Sequence, residues 1–467
     1  MERLGKPELS TIHAVAQSLA IGPVFSSVFL AALVAGAAGR TAPLSLIIGS
    51  IGVLAVGWLI VLYARRYHGA GAIYDYLRLA VGPAVGLFAA CSYFIGTLFL
   101  GGAGIYIVIG LIFSQILQDQ FGIWISWALG SVVFALVVFL FNHFGARVAA
   151  RFQLILTGLS ALPLLVLAIV IIAHGGAGGN TMLVFSPKGV PISSIFAGVL
   201  FAITMFIGFE ASASLGEETK NPKRSIPIAV VSTIVISAFF YLVMIYAWDI
   251  GFGVDHIDQW TSDPSPVATL AGRYVGSWLS AVINIALILD MLAVAVAFSA
   301  TSARGWFALA RHGLLPRVLA LQSGYGTPIG GNLLVLTAAI VLTLVVSATS
   351  IDRLVAFGIT TQIGSILIEL IYVILAIGGI KILVNERMPW YAWIPLAMAF
   401  FTPVLALYAT VWPFPPYPAV LGLYGGIGGV LVSLLWVWGM YMFRKDSLRN
   451  AGRPYDWDSR HELSDAL

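Results

Sequence analysis

The sequence contains very little charge. Lys, Arg, Asp and Glu make up 9% of its 467 residues, against about 25% in typical soluble domains. Because a folded globule needs a polar exterior, this shortage excludes a soluble enzyme. The 60% hydrophobic content excludes a disordered or fibrous chain, and the mean hydropathy is +0.98. The composition therefore predicts a membrane protein.

Cysteine is nearly absent, with Cys91 as the single example. One cysteine cannot form an intrachain disulfide, and it excludes a cysteine-rich metal site. The sequence also lacks a G-x-x-x-x-G-K-[ST] loop and an H-E-x-x-H motif, so nothing indicates nucleotide hydrolysis or a zinc protease. The basic residues are scattered and form no single stripe, which argues against nucleic-acid binding. We expect no enzyme activity and no cofactor.

Long apolar stretches dominate what is present. A membrane-crossing helix needs roughly 20 apolar residues, and the sequence supplies about twelve such stretches. We therefore predict an all-α polytopic membrane protein with about 12 transmembrane helices. The predicted spans 1 to 12 lie at 12–38, 42–64, 83–113, 123–141, 148–174, 193–216, 226–250, 277–303, 330–348, 353–379, 391–411 and 418–443.

The basic residues are distributed unevenly between the two sides of this array. If the N-terminus lies inside, 20 of the 24 Lys and Arg residues lie inside, and only Arg40, Lys188, Arg273 and Arg353 lie outside. Because basic residues concentrate on the cytoplasmic side, this pattern predicts both termini in the cytoplasm. The outer connection at 249–263 carries four aspartates and is predicted to be a solvated, partly helical loop.

Two predicted spans contain helix-breaking residues near their middle. Span 1 has Gly22 beside Pro23, and span 6 has Gly208 followed two residues later by Glu210. Proline removes a backbone donor and clashes with the preceding turn, and a carboxylate at membrane depth indicates a functional site. A simple kink is the alternative for span 1 alone. Paired interruptions in matching spans, however, are typical of transporters built from inverted repeats.

Several motifs then resemble one family. Residues 217–227 read EETKNPKRSIP, and with the preceding Gly-Phe-Glu run at 208–210 this segment is similar to the span 6–7 signature of amino acid–polyamine–organocation (APC) transporters. Three further stretches agree with that family, in the right order along nearly the whole chain. They are HGAGAIY at 68–74, NHFG at 142–145, and the residues at 303–316 after span 8.

The resemblance implies a leucine-transporter-type fold, with two five-helix inverted repeats followed by two C-terminal helices. It divides the chain into residues 1–174 with spans 1–5, residues 175–380 with spans 6–10, and residues 381–467 with spans 11–12 and a cytoplasmic tail. It also implies alternating access, in which spans 1, 2, 6 and 7 move against the remainder.

Substrate is expected between the two breaks, since unwound backbone at mid-membrane is tolerated where it lines a cavity. Counting along the other spans from the family motifs adds Tyr93 and Thr97 on span 3, Phe298 at an aromatic position of some exchangers on span 8, and Gln362 on span 10. The residues expected to bind substrate at the breaks are Ile21, Gly22, Pro23, Val24, Phe25, Ser26, Phe206, Ile207, Gly208 and Phe209.

The first break departs from the pattern of many amino acid members of the family. Those members carry Gly-Ser-Gly or Gly-Ala-Gly, whose amides receive the substrate carboxylate. Pro23 has no N–H, so one donor is missing, although the amides of Val24, Phe25 and Ser26 remain. This difference puts an ordinary α-amino-acid carboxylate clamp in doubt without excluding it.

Three carboxyl groups lie inside apolar spans, namely Glu210, Asp290 and Glu369. Buried carboxyls are suited to proton pickup and release, so all three are candidate coupling groups. Asp290 has no basic residue in its own span and is also a candidate contact for a substrate ammonium. The alternative for each is a protonated carboxyl that is hydrogen-bonded to a neighbouring helix.

The evidence for a metal site is weak. Some proton-coupled family members carry a lysine in span 5 in place of a sodium ion, and Ser160 stands near that position here. Thr301 and Ser302 lie where sodium-coupled relatives of the fold use hydroxyls, which marks a weak sodium-site candidate. Hydroxyls on membrane helices more often bond neighbouring helices. No other metal ligand set is indicated.

These features predict a secondary active transporter of the cytoplasmic membrane that imports an amino acid or a small amine, with proton symport as the first hypothesis. An amino acid/amine antiporter and a sodium symporter remain alternatives. A channel or a transport-dead sensor is a third class, which saturable uptake would exclude. The expected partners are the substrate, a proton or sodium ion, and the lipid bilayer.

Overall fold

The apolar stretches fold into helices, because a backbone in lipid must satisfy its own hydrogen bonds. The computed structural model describes residues 4–19, 21–263, 265–412 and 414–453. Within these ranges the regular structure is helical, and the one β-bridge pairs Leu9 with Thr219. The all-α prediction is confirmed. Of the predicted cytoplasmic tail, residues 454–467 lie outside the described part.

The helices of the first half of the chain follow the predicted spans. Span 1 corresponds to three helices and span 3 to two. Their bounds are α1 Thr11–Leu19, α2 Pro23–Phe25, α3 Ala31–Ala38, α4 Ala42–Ala64, α5 Ile73–Ala80, α6 Pro83–Thr97, α7 Ile105–Phe121, α8 Trp127–His143, α9 Ala146–His174 and α10 Ile192–Thr204.

The helices of the second half include two short ones in the outer connection. Their bounds are α11 Pro222–Phe252, α12 Ile257–Ser262, α13 Pro266–Tyr274, α14 Ser277–Arg311, α15 Ile329–Ser347, α16 Arg353–Asn385, α17 Trp393–Val411, α18 Val420–Phe443 and α19 Lys445–Ala451.

Nine helical segments of the described chain are long and apolar enough to cross a membrane, and α8 and α10 are shorter apolar helices. The first of the nine, Thr11–Ala64, contains a turn at Gly39–Thr41 that separates α3 from α4. Large apolar side chains such as Ile155, Leu162 and Ile169 of α9 are exposed on the outside of the bundle, as a lipid-facing surface requires. The number of crossings stays a prediction.

Two segments wind more widely than an α-helix. Ser26–Leu30 follows the first break, and Leu98–Gly102 separates α6 from α7. Both are π-helical turns, which occur often at functional sites. Predicted span 3 is therefore not one continuous α-helix.

One feature of the outer connection was predicted wrongly. Asp249 does not belong to a solvated loop, because α11 continues to Phe252 and buries this side chain completely. The neighbouring Trp248 donates from Nε1 to the Ser27 carbonyl oxygen at 3.0 Å, which ties the end of α11 to the π-helical turn.

The last described helix is tied to the bundle by a buried arginine. Arg78 in α5 donates from Nη1 to the carbonyl oxygens of Ala451 at 3.0 Å and Arg453 at 2.7 Å. Its Nε donates to Asp75 at 2.7 Å. The end of α19 therefore packs as part of the folded unit.

Glycines allow several helices to approach closely. A Cβ on Gly110 of α7 would lie 2.2 Å from the Trp127 carbonyl oxygen of α8, and one on Gly331 of α15 would lie 2.3 Å from the Ala303 carbonyl oxygen of α14. Small residues at such contacts let membrane helices pack backbone against backbone.

We expect Gly110→Ala to lower the melting temperature of the detergent-purified protein, because the added methyl would force α7 and α8 apart. Overpacking of this kind costs about 1–3 kcal/mol. Gly158→Ala is the matched control, since a Cβ there meets nothing within 4 Å and alanine favours a helix. Equal melting temperatures for the two variants would contradict the close packing of α7 on α8.

Candidate substrate and coupling site

The first helix break forms at a glycine in the left-handed region. Gly22 has φ 79° and ψ 59°, a conformation that a residue with a Cβ rarely adopts. A Cβ at Gly22 would also lie 2.8 Å from Val294 of α14. The chain restarts as a helix at Pro23, whose missing N–H is no loss at a first helical position. The sequence Gly22-Pro23 therefore encodes both the stop and the restart.

The backbone N–H groups at this restart are already occupied. Ser26 donates its N–H to the Gly22 carbonyl oxygen at 2.8 Å, and Phe25 donates its N–H to Asp290 Oδ2 at 2.9 Å. The Val24 amide also faces the Asp290 carboxyl group. The carboxyl group of Asp290 thus occupies the positive end of the second half-helix, a position that favours anionic groups.

Asp290 is completely buried, and residues of two helices contact its carboxyl group. Besides the Phe25 amide, Ser160 Oγ of α9 lies 3.4 Å from Asp290 Oδ1. Tyr241 of α11 lies near Asp290, and no ion pair among the described residues includes Asp290. Asp290 therefore lies inside the protein without a counter-charge.

The second break unwinds the chain between α10 and the 3-10 turn Ala211–Leu215. Gly208 has φ 110°, and a Cβ there would lie 2.7 Å from the ring of Phe298. The two breaks touch, since Ser26 Oγ donates to the Met205 carbonyl oxygen at 3.4 Å. Ser18 Oγ accepts from the Ser212 amide at 3.1 Å just past the second break.

Glu210 follows the second break and is bonded across the bundle. Tyr93 of α6 donates its hydroxyl to Glu210 Oε1 at 2.8 Å. The Tyr372 side chain of α16 lies beside the same carboxyl group, and its ring centroid is 5.9 Å from that of Phe209. Aromatic rings therefore surround the buried carboxyl group of Glu210 next to the second break.

Glu369 lies one helical turn before Tyr372 and is also buried. Neither of its carboxyl oxygens has a hydrogen-bond partner among the described residues. The side chain faces a small void that is also lined by Val53 of α4 and Thr402 of α17. A buried carboxyl group without a partner is unusual and calls for an explanation.

A cavity of about 570 Å³ lies beside both breaks. None of the described residues that line it is charged, and most of the wall that they form is apolar. Six of the predicted site residues line it, namely Ile21, Phe25, Ser26, Ile207, Phe298 and Gln362. The polar side chains of the wall are Ser26, Thr204, Thr361, Gln362, Ser365 and Thr410.

The other predicted site residues lie around the cavity but do not line it. Tyr93 and Glu210 are bonded to each other, Thr97 donates to the Phe94 carbonyl oxygen at 3.1 Å, and Asp290 lies behind the first break. The remaining ones are Gly22, Pro23, Val24, Phe206, Gly208 and Phe209, which form the breaks themselves.

The weak sodium-site candidates make helix–helix contacts. Thr301 Oγ1 lies 3.4 Å from Gln17 Nε2 and 3.3 Å from Ser214 Oγ. Ser302 Oγ donates to the Phe94 carbonyl oxygen at 3.4 Å and accepts from Trp306 Nε1 at 3.0 Å. The described residues contain no group of three His, Cys, Asp or Glu side chains that could hold a metal ion.

Sequence reasoning missed much of the cavity wall. Phe357 and Thr361 precede Gln362 on α16, and Leu100 belongs to the second π-helical turn. The hydroxyl of Thr361 is buried without a hydrogen-bond partner. The helical spacing from Gln362 could have suggested the α16 residues, whereas no local signal marks Leu100.

Ion pairs close the protein at the end opposite the cavity. Glu217 accepts from Arg311 Nη2 at 2.6 Å and from the backbone amides of Leu4 and Ala70 at 2.8 Å each. The next residue, Glu218, accepts from Arg304 Nε at 2.6 Å. The N-terminal segment, the connections after α4 and before α11, and the end of α14 are thereby joined.

A neighbouring histidine does not add charge to this network. Burial, followed by the nearby Arg78 and Arg311 guanidinium groups, lowers the pKa of His312 to about 3. The imidazole is therefore neutral at physiological pH. The charges that hold this end are those of Glu217, Glu218 and their arginines.

The sequence model of the amino acid permease family matches residues 9–441, nearly the whole chain. The chain belongs to this family. The resemblance to APC transporters is thus confirmed, and the permease is a multi-pass membrane protein of a transporter family.

Curated relatives include proteins named for different substrates. The permease is 23% identical over 416 residues to the glutamate/serine transporter AimA of Bacillus subtilis (strain 168), covering 80% of this chain and 72% of that one. It is 25% identical over 222 residues to the branched-chain amino acid permease BcaP of the same organism, covering 48% and 46%. It is 26% identical over 265 residues to the low-affinity putrescine importer PlaP of Escherichia coli (strain K12), covering 54% and 55%.

We expect Arg304→Met to lower the melting temperature of the purified permease markedly. The change leaves Glu218 buried without its partner, and breaking a buried ion pair in this way costs about 3–5 kcal/mol. The double variant Glu218→Gln/Arg304→Met should recover part of the loss, because no uncompensated charge remains. Arg317→Met, at an exposed arginine, is the control, and a melting temperature of Arg304→Met equal to that control would refute the pairing.

Proposed function

We propose that this permease imports a small amine or an amino acid across the cytoplasmic membrane by alternating access, coupled to proton symport. The observation that carries the proposal is the contact of a buried carboxyl group, Asp290, with the Phe25 amide at the first helix break. This contact joins a proton-binding group to the segment where such transporters bind substrate.

The cavity and the ion pairs support an outward-facing state under this proposal. The cavity opens beside the breaks, while Glu217, Glu218 and their arginines close the opposite end. The positive-inside pattern assigns that closed end to the cytoplasm. Inward opening then requires these ion pairs to separate.

The proposed architecture is the one implied by the family resemblance. Residues 1–174 and 175–380 form the two inverted repeats, and residues 381–467 add the last two spans and the tail. Both termini lie in the cytoplasm. The matching positions of the two breaks, in α1–α2 and after α10, support the pairing of the repeats.

Occupation of the Phe25 amide favours a substrate without a carboxylate. A zwitterionic amino acid needs donors for its carboxylate, and no cationic side chain lines the cavity. An ammonium needs acceptors instead, and no described hydrogen bond reaches the carbonyl oxygen of Ile207 on the cavity wall. We therefore place amines with an apolar body first and amino acids second, the latter favoured by the names of two relatives.

Asp290 is the proposed coupling group among the three buried carboxyls. When ionised, it holds the Phe25 N–H through a charge-assisted hydrogen bond, and protonation weakens that bond. The geometry of the first break thus depends on whether Asp290 is protonated. Glu210 is bonded to Tyr93 and directly follows the second break, and Glu369 faces a void that Phe206, Ile207 and Phe209 of that break also line. Asp290 is preferred because its carboxyl group accepts from a backbone amide of the first break.

In proteoliposomes with an imposed inward proton gradient, we expect Asp290→Asn to lose gradient-driven accumulation of labelled substrate while retaining counterflow between equal pH values. Asparagine still accepts from the Phe25 amide but carries no proton. Glu210→Gln and Glu369→Gln serve as matched variants and should accumulate substrate. If uptake by the parent protein does not depend on the pH gradient, the result would instead indicate sodium symport. If uptake requires substrate inside the proteoliposomes, it would indicate antiport.

The substrate class can be tested with matched pairs such as leucine and 3-methylbutylamine or ornithine and putrescine. We expect the amine of a pair to raise the melting temperature more than the amino acid, because ligand binding stabilises the folded state. Asp290→Ala frees the Phe25 amide and should shift the preference toward the amino acid, whereas Asp290→Asn should not. Parent protein stabilised by the amino acids alone would reject the amine assignment.

A further inference from the structure

Helix α9 carries a file of buried polar side chains that ends at Asp290. Gln153, Thr157 and Ser160 are separated by four and three residues, so they lie on one face of the helix. Gln153 and Ser160 are 0% exposed and Thr157 is 4% exposed. The last of them, Ser160, contacts Asp290 Oδ1 at 3.4 Å. An apolar face would be the ordinary choice for a buried helix in this bundle.

Most side-chain polar atoms of this file have no hydrogen-bond partner among the described residues. Both side-chain amide atoms of Gln153 and the hydroxyl of Thr157 are buried without one. Leaving such a group unsatisfied costs about 1–3 kcal/mol. Buried polar groups of this kind are normally satisfied by ordered water, which makes two to four hydrogen bonds to its surroundings.

The file extends from the ion-paired end of the protein toward the first break. At the start of α9, Arg147 pairs with Glu8 at 3.2 Å. Gln153 lies six residues further along, a rise of roughly 9 Å, and Ser160 lies roughly 10 Å beyond Gln153. The file thus bridges the distance between the end of the helix and Asp290.

A second helix contributes buried hydroxyls to the same region. Helix α11 packs against α9, and α1 packs against both. Thr233 and Ser237 of α11 are fully buried and one helical turn apart, and neither hydroxyl has a hydrogen-bond partner in the described part of the chain. They precede Tyr241, which lies near Asp290.

We propose that Gln153, Thr157 and Ser160 hold a file of water molecules that conducts the coupling proton between Asp290 and the cytoplasmic end of α9. The inference rests on the proposed function, because it presumes proton coupling at Asp290. The Asp290 carboxyl transfers its proton to the first water, so one O–H bond breaks as another forms. The same exchange repeats along the file until a proton enters the solvent. Asp290 remains as a carboxylate that accepts from Phe25.

The charges around this route are compatible with a proton. Tyr241 is the titratable group of α11 that lies near Asp290, and no described side chain of α1 or α9 forms an ion pair with it. At the mouth, Arg147 and Arg151 lie close enough to act on His13. Positive charge disfavours a proton as well as a metal cation, and the pairing of Arg147 with Glu8 offsets part of that charge at the mouth.

The test compares net uptake driven by a pH gradient with counterflow at equal pH, using the labelled ligand that the parent transports fastest from the leucine, 3-methylbutylamine, ornithine and putrescine panel. We expect Gln153→Leu and Thr157→Val to lower net uptake about tenfold, a barrier increase of about 1.4 kcal/mol. Counterflow should persist, because exchange does not require proton release. Thr157→Ser should restore net uptake.

Thr343→Val is the matched control, since its buried hydroxyl already donates to the Ala339 carbonyl oxygen at 2.8 Å within its own helix. Its net uptake should equal that of the parent. A high-resolution experimental structure provides a readout that does not depend on activity, because it should contain ordered water between Gln153 and Asp290.

Three results would overturn the inference, each at a different level. The water file alone would be refuted if Thr157→Val and Gln153→Leu showed normal net uptake while Asp290→Asn was defective. Equal losses in net uptake and counterflow would assign the file a packing role. Parent uptake that is independent of the pH gradient would remove the proton coupling of the proposed function and the file with it.

Discussion

The hydrogen bond from the Phe25 amide to Asp290 is the interaction on which the arrangement of this site depends. It joins the restarted half of the first broken helix to α14, the long helix that also packs along α9. Burying a carboxylate without a counter-charge is expensive, and amide donors at a helix start are among the few groups that lower that cost. The break at Gly22 therefore serves two purposes. It interrupts the helical hydrogen bonding of the first span, and it supplies the Phe25 amide that bonds the Asp290 carboxyl group.

Charge is unevenly distributed among the described residues. Ionised pairs such as Arg304–Glu218 and Arg311–Glu217 are confined to one end, where they join segments that are far apart in sequence. The cavity beside the breaks contains no charged side chain. Under the proposed alternating access, this division lets the ion pairs at one end separate while the cavity wall stays intact, because ion pairs exchange for water more easily at a membrane surface than in the hydrocarbon.

Local sequence signals identified the elements of the site but not their contacts. The sequence alone identifies Gly22-Pro23, Gly208 and the three carboxyl groups, because such helix-breaking and ionisable residues stand out inside apolar spans. That Tyr93 donates to Glu210 depends on how α6 packs across the bundle, and a single sequence carries no record of such a distance. Gln153 and Thr157 went unnoticed because one amide and one hydroxyl barely disturb an apolar pattern. Asp249 was misplaced for a related reason, since the three aspartates that follow it in 249–263 suggested solvent.

The buried guanidinium group of Arg78 is held by the residues that end α19 and follow it. Two of its acceptors are backbone carbonyl oxygens beyond residue 450, supplied by Ala451 and Arg453. A protein shortened to residue 444 would keep every helix long enough to cross the bilayer, yet it would strip those acceptors from a charged donor that water hardly reaches. Leaving charged groups unsatisfied costs more than leaving neutral ones. Removing these residues, which a hydropathy plot would mark as dispensable, would therefore loosen the junction between α5 and α19.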